Sequence, residues 1–365
     1  MRVLVVNAGS SSVKVRTVEP DGTVAGSADL DANAGEFSLA ALRHALSGLG
    51  TPDAVGHRIV HGGRDFRGPV RVDESVRERL AALRDLAPLH QDAGLAGIRA
   101  VGELLPDVPA VACFDTAFHA GLPDAAATYP VPAEWRERYA IRRYGFHGLS
   151  HAYAARRTAE LAGLDPESAR IVSCHLGSGA SLCAIRGGAS VDTTMGFTPL
   201  EGIVMGTRSG TVDPGLVSWL STTGGLPVAE VSRALEQRSG LLALAGTADM
   251  REVLAAREAG SRVARRALEV YQHRLRAGIA AMAAALGGLD ALAFTGGIGE
   301  HAPAVRADAA AGLAFLGVAL DPARNDAANG DADVSAPDAP VRTVVVTARE
   351  DAEIAAQVRH LLAPR

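Results

Sequence analysis

Lysine is almost missing from this chain of 365 residues: of its 36 lysines and arginines, only Lys14 is a lysine. A Walker-type phosphate lysine or a Schiff-base lysine is therefore available nowhere but at Lys14. Cysteine is scarce as well. Cys113, Cys174 and Cys183 are odd in number, sit in apolar surroundings and lack ligand-like spacing. That excludes a disulfide framework and a cysteine metal site, and predicts buried thiols in a reducing, cytoplasmic setting. No long basic run occurs and the net charge is −5, so neither nucleic acid nor a membrane surface is indicated as a partner. The most apolar helical stretch, AGIAAMAAALGG (277–288), is too short to cross a bilayer. The first residues lack the basic, apolar, small-residue order of a leader. Low-complexity blocks are absent too. What remains is a globular composition, 48% apolar and 21% charged, long enough to favour two domains over one core.

The pattern along the chain occurs twice. RVLVV (2–6) is a continuous apolar run, SVKVRTV (12–18) alternates, and TVAGSADL follows a DG turn signal. ARIVSCHLGSGASLCAIRGGASVDTT (169–194) repeats it: a strand, a Gly-Ser loop, an alternating strand, a Gly-Gly turn and a third strand. Asn7-Ala8-Gly9-Ser10 aligns with His175-Leu176-Gly177-Ser178, 168 residues later. Two occurrences point to a duplicated domain rather than a solenoid. Amphipathic helical spacing over 74–86, 150–163, 226–239 and roughly 261–286 separates the strands, and LDALAFTGGIGE (289–300) reads as a strand ending in a glycine loop. Strands followed by helices, twice, predict an α/β class with helix-covered sheets.

Three glycine loops follow apolar strands: Gly9-Ser10-Ser11-Ser12, Gly177-Ser178-Gly179 and Gly296-Gly297-Ile298-Gly299. Glycine lets backbone N–H groups approach an anion closely. One such loop alone would read as a tight turn. A duplicated pair reads better as a polyphosphate clamp, with serine hydroxyls and Lys14 as further donors. Arg58 and Arg208 stand in apolar, glycine-flanked segments, a setting that a surface arginine does not need and that suits a planar fork for carboxylate or phosphate. His57, His61, His119 and His151 read as hydrogen-bonded packing residues, and no histidine pair fits a zinc site. Asp115 follows AVACF, so it lies at the carboxyl end of a strand, where α/β sites place acids; capping a helix together with Thr116 is the alternative.

VVNAGSSSVK (5–14), RRYGFHGLSH (142–151) and TPLEGIVMGTRSGTVDPG (198–215) resemble, in order, the signatures of the acetokinase family, and the likeness runs from Met1 into the C-terminal helix. The resemblance implies the superfold of actin, sugar kinases and heat-shock ATPases: two duplicated ribonuclease H-like domains with a cleft between them, residues 1–117 with 352–365, and 118–351. It implies phosphoryl transfer from ATP to acetate with Mg²⁺, Mn²⁺ being able to replace it, in a cytoplasmic homodimer. Asn7 and Glu350 would lie at the metal end, with Asp351 a near competitor of Glu350. Arg58, Arg208, His147 and Asp115 would be the catalytic groups. Val60, Leu89, Phe146 and Pro199 would line a methyl pocket, with Arg58 and His90 beside it. The nucleotide side would take Lys14, Ser10, Ser12, His175, Leu176, Gly177, Ser178, Gly179, Asp249, Met250, Arg251, Gly297, Ile298, Gly299, Glu300 and His301. Ser178 and His301 stand where the family commonly has asparagine, and the chain is shorter than usual after residue 28. A propionate or butyrate kinase, a sugar kinase with Asp115 as base, and a nucleotide-dependent binding module remain the alternatives.

A sole lysine in a phosphate loop is directly testable. Amine-directed labelling should modify only Lys14 and the N-terminus, and saturating MgATP should protect Lys14. Equal labelling with and without nucleotide would remove Lys14 from the phosphate site.

Overall fold

The period of two along each strand decides which residues meet. The computed structural model describes residues 1–8, 12–31 and 38–363, and of 88–90 only the backbone. Ser10, and the side chains of Leu89 and His90, lie outside it. The chain forms two units: Met1–Gly121 with Phe146–Tyr153 and Arg349–Arg365, and Leu122–Gly145 with Ala154–Ala348.

The first unit holds β1 (Val3–Ala8), β2 (Ser12–Val18), β3 (Val24–Asp31), β4 (Ala54–Ile59), β5 (Val70–Arg71) and β6 (Ala110–Phe114) in the order β3-β2-β1-β4-β6-β5. The central strands β1, β4 and β6 are parallel, and the others pair antiparallel. The pleat sorts the apolar residues onto two faces. Val3, Val5, Ala54, Val111 and Cys113 pack with Ile354, Ala355 and Val358 of the helix Glu350–Leu362. Leu4, Val6 and Val55 pack the other way, with Ala93 and Val101 of the helix Pro88–Leu104.

The second unit repeats the layout. β7 (Arg170–Leu176), β8 (Ala180–Arg186), β9 (Ala189–Thr193), β10 (Ala291–Thr295), β11 (Ala332–Asp333) and β12 (Arg342–Val345) are ordered β9-β8-β7-β10-β12-β11, again with the three central strands parallel. β2 and β8 correspond end to end at the 168-residue offset of the duplication. The long helix forms at Arg262–Leu286, N-capped by the Ser261 hydroxyl on the Ala264 amide and closed by left-handed Gly287. One expectation changes: GGIGEH is a short helix, Gly296–His301, starting directly at the end of β10 rather than a loop. The three cysteines are buried free thiols, and among the described residues no helix is long and apolar enough to cross a membrane.

The C-terminal helix can lie close to β4 because Gly56 has no side chain. A Cβ there would stand 2.5 Å from Ile354 Cγ2 and 2.9 Å from Val358 Cγ2. Gly56→Ala should therefore cost about 1–3 kcal/mol of unfolding free energy, read as a lower urea midpoint. An unchanged midpoint would mean that the helix can retreat at no cost.

Candidate active site

Each central strand of the first sheet ends in a polar residue on the face covered by the C-terminal helix. Val3 and Val5 are followed on that face by Asn7, Ala54 and Gly56 by Arg58, and Val111 and Cys113 by Asp115. The three meet at the carboxyl ends of parallel strands. Arg58 Nε donates to Asp115 Oδ1 at 3.1 Å and Nη2 to Oδ2 at 2.5 Å, a two-pronged pair, while Nη1 donates to Asn7 Oδ1 at 3.2 Å. Glu350, at the start of the C-terminal helix, brings Oε2 to 3.6 Å from Arg58 Nε, and Asn7 Nδ2 donates to the same oxygen at 3.5 Å. The neighbouring acid, Asp351, is instead held by Arg349 at 2.9 and 3.1 Å. Glu350 is thus the acid that faces Asn7 and Arg58.

Two carboxylates here share one guanidinium. Asp115 is 1% exposed, and its carboxyl is pushed up to about 6, first by burial and, against the pull of Arg58, by the charge of Glu350. The fold therefore penalises the ionised form. That penalty is complete above about pH 6 and is relieved as the pH falls toward the ordinary value of 3.8. A surplus negative charge with oxygen donors from Asn7, Asp115 and Glu350 fits a hard divalent cation such as Mg²⁺. Among the described residues no three His, Cys, Asp or Glu side chains gather as a metal cage.

The segment with His147 closes over Asp115. Gly148 N–H donates to the Asp115 carbonyl at 2.9 Å, and a Cβ on Gly148 would lie 2.1 Å from that oxygen, so no side chain fits there. His147 takes a left-handed backbone, φ 56°, at the start of the helix Gly148–Ala162; strain of this kind gathers at functional sites. Phe146 is buried, edge-on to His61 with ring centroids 5.5 Å apart, and its carbonyl is 3.1 Å from His119 Nε2. His57, His61, His119 and His151 are all buried. Asp115 caps no helix: its carboxylate is taken by Arg58, and Thr116 Oγ1 accepts from the Gly62 amide at 2.9 Å. Val60 is half-buried just beyond β4. Ser12 opens β2, and Lys14 is the strand partner of Asn7, exposed on the same sheet face.

In the second unit a cavity of about 530 Å³ opens where β7 and β10 end. Gly177 and Ser178 come from the β7–β8 turn, Asp249, Met250 and Arg251 from the start of the helix Met250–Glu258, and Gly297, Ile298 and His301 from the short helix after β10. Ala248, Leu254 and Ala302 also line it. Leu254 and Ala302 carry no polar group to betray them in sequence, although Leu254 lies one helical turn from Met250. Gly299 is buried in the same short helix, and Gly179 closes the β7–β8 turn through its carbonyl, 3.0 Å from Gly177 N. His175 and Leu176 end β7, with Leu176 in the core; Glu300 points elsewhere, its Oε1 accepting from Ala348 N at 3.0 Å. Arg208 is buried enough for its guanidinium pKa to be lowered, and its Nη1 donates to the Pro199 carbonyl at 3.2 Å.

Sequence reading did not single out Arg306. It is 1% exposed and donates to the Gly299 and Glu300 carbonyls at 2.9 and 2.8 Å and to Asn325 Oδ1 and O at 2.8 and 2.7 Å. It satisfies the carbonyl end of the glycine-rich helix.

A sequence model described as the Acetokinase family matches residues 39–356. The chain belongs to the acetokinase family. An acetate kinase of Leifsonia xyli subsp. xyli is 46% identical, over 99% of each chain. Among solved structures, an acetate kinase of Porphyromonas gingivalis matches with a TM-score of 0.91 at 36% identity, over 99% of each chain. A propionate kinase of Francisella tularensis matches with 0.88 at 34%, over 98% of each. The paired six-stranded sheets are accordingly the duplicated, actin-like ATPase architecture of the acetokinases.

The charge arrangement makes one titration specific. In the metal-free protein one carboxyl should protonate near pH 6 in infrared difference spectra, and Asp115→Asn should remove that signal. A metal-free spectrum with no carboxyl titrating above pH 5 would contradict it.

Proposed function

We propose that this chain transfers the γ-phosphoryl group of ATP reversibly to acetate, giving ADP and acetyl phosphate, with Mg²⁺. Besides family membership, one observation carries this reading. Asp115 is engaged through both oxygens by Arg58, which suits a site with no proton to remove. A carboxylate with an ordinary pKa near 4–5 is already ionised at pH 7 and needs no general base. A hydroxyl acceptor would need one.

The chemistry then reduces to positioning and charge neutralisation. A loose phosphoryl transition state spreads negative charge over three equatorial oxygens. Arg58, Arg208 and His147 are the proposed donors to that charge. Asp115 fixes the Arg58 fork and keeps it from swinging out to solvent. Asn7, Glu350 and Asp115 would hold Mg²⁺, which when bound neutralises polyphosphate charge. The second-unit cavity would take the adenosine, its apolar wall of Met250, Leu254 and Ile298 against the base, with the Gly177–Gly179 turn and Lys14 toward the phosphates. Val60, Phe146 and Pro199 would serve the methyl group. Propionate is a second reading, motivated by the Francisella tularensis propionate kinase; one methylene in such a pocket is worth only about 1–3 kcal/mol. A cytoplasmic homodimer fits as well. Trp219 and Val228 of the second unit are 56% and 64% exposed, and Leu216 and Leu226 add to the apolar surface there.

ADP release from ATP with short carboxylic acids and with sugars, and hydroxamate trapping of the acyl phosphate formed from the acids, test the reading. The highest kcat/KM should fall on acetate, with no sugar phosphorylated, and Arg58→Ala should lower kcat on the order of 10³-fold. Turnover of a sugar hydroxyl, or kcat unmoved in Arg58→Ala, would overturn it.

A further inference from the structure

The motif TPLEG carries one charge that none of the roles above uses, Glu201. Its carboxylate is gripped from two sides within the second unit. Tyr129 O–H donates to Oε2, and Arg143 Nη2 donates to Oε1 at 2.8 Å. The same arginine reaches back along the loop: its Nη1 donates to the Thr194 and Met195 carbonyls at 3.2 and 3.1 Å. The Tyr129 oxygen in turn accepts from the Phe197 amide at 3.0 Å. Two side chains from one preceding segment thus fasten residues 194, 195, 197 and 201. There is no slack in the arrangement, because a Cβ on Gly196 would lie 1.7 Å from Glu201 Oε2 and 2.0 Å from the Tyr129 oxygen. The Tyr129 hydroxyl is held protonated, its pKa raised by burial and then by the carboxylate it serves.

The strapped loop contains Pro199, whose carbonyl accepts from Arg208 Nη1. Arg208 Nη1 thus bonds to a main-chain atom whose position the strap sets, and the same nitrogen lies 3.7 Å from Met205 Sδ. A guanidinium aimed by a carbonyl turns when that carbonyl moves.

We propose that Glu201 is a positioning residue of the acid-binding side: clamped by Tyr129 and Arg143, it fixes the 194–201 loop so that Pro199 and, through its carbonyl, Arg208 are presented to the carboxylic acid in one orientation. The inference rests on the reading that Pro199 and Arg208 serve the acid. It needs no proton transfer at Glu201; the carboxylate acts as a double acceptor. Glutamine keeps the shape but replaces one acceptor oxygen with an N–H₂ group, which cannot accept from both Tyr129 and Arg143 at once.

The test is a comparison of Michaelis constants. Glu201→Gln should raise KM for acetate about ten- to a hundredfold, with KM for ATP and the thermal midpoint close to wild type. Tyr129→Phe should move the same constant by less, and the double variant should be no worse than Glu201→Gln alone, because both remove one clamp. Should Glu201→Gln fail to fold, Tyr129→Phe carries the test, since it deletes a single hydroxyl. The proposal is overturned if both Michaelis constants rise together, if activity falls only in step with the thermal midpoint, or if neither variant moves KM for acetate. A wild-type protein that turned over no carboxylic acid would instead remove the underlying reading, so the two failures can be told apart.

Discussion

The ion pair between Arg58 and Asp115 is the constraint around which the first unit is built. Moving two charges out of water costs several kcal/mol per ion, and their attraction repays this only with good geometry and further hydrogen bonds. The fold supplies both. Parallel β1, β4 and β6 end side by side, so their last inward-facing positions, Asn7, Arg58 and Asp115, fall together without any loop having to place them. Gly56 gives the C-terminal helix the clearance to bring Glu350 to the same guanidinium, and Gly148 lets the next segment lie directly on the Asp115 backbone. The cluster is nevertheless left with one negative charge too many, and the Asp115 pKa is raised first by burial and then by the charge of Glu350. A site tuned for stability alone would not keep the second carboxylate; one built for the proposed Mg²⁺ would.

The duplication makes the same point by contrast. Asp115 N donates to the Ile59 carbonyl at 3.0 Å, and Val346 N donates to the Phe294 carbonyl at 2.9 Å in the matching place of the second sheet. By register, Arg58 corresponds to Ala293 and Asp115 to Val346, both wholly buried. At the 168-residue offset Lys14 becomes Leu182 and Asn7 becomes His175. One scaffold thus appears with an ion pair at two of its strand ends and again with Ala293 and Val346 in the same places. The second copy has turned the carboxyl ends of its strands over to a cavity floored by glycine and lined by Met250, Leu254 and Ile298.

Much of this was legible beforehand because it depends on period and punctuation. The strand over 12–18 and the helix from Ser261 to Leu286 are marked by alternation, by a capping serine and by a closing glycine, and they form where those signals stand. The helix expected over 74–86 forms as Glu74–Ala81 with a separate 3₁₀ turn at Arg84–Leu86. GGIGEH was illegible as a helix because glycine disfavours one by about 1 kcal/mol per residue; its carbonyls are instead satisfied by Arg306, seven residues beyond Gly299 and on another helix. The choice between Glu350 and Asp351 was equally out of reach. Adjacent acids on a first helical turn look alike until Arg349 is seen to take one of them. Arg306, Tyr129 and Glu201 share the reason they escaped notice. Arg306 acts largely through main-chain atoms, Tyr129 takes the Phe197 amide, and Glu201 holds partners 58 and 72 residues away, so none of them leaves a local pattern in the sequence to match.

Those hidden contacts tie the parts of the second unit into a single hydrogen-bonded body. Gly206 N donates to the Ser178 carbonyl at 3.0 Å, so the loop that carries Arg208 is joined to the glycine turn of the cavity. Ser239, Leu241 and Leu242 donate from their amides to the carbonyls of Thr207, Met205 and Gly206 at 2.9 Å each, bracing that loop from behind. Glu201 straps the residues just before it. None of these groups is arranged to move a proton; each holds another group still. Phosphoryl transfer to an already ionised acceptor asks for little else, since its barrier falls through alignment and through charge that need not reorganise. The distribution of polar groups, directed to fixing two arginines rather than to a base, is what the proposed chemistry requires.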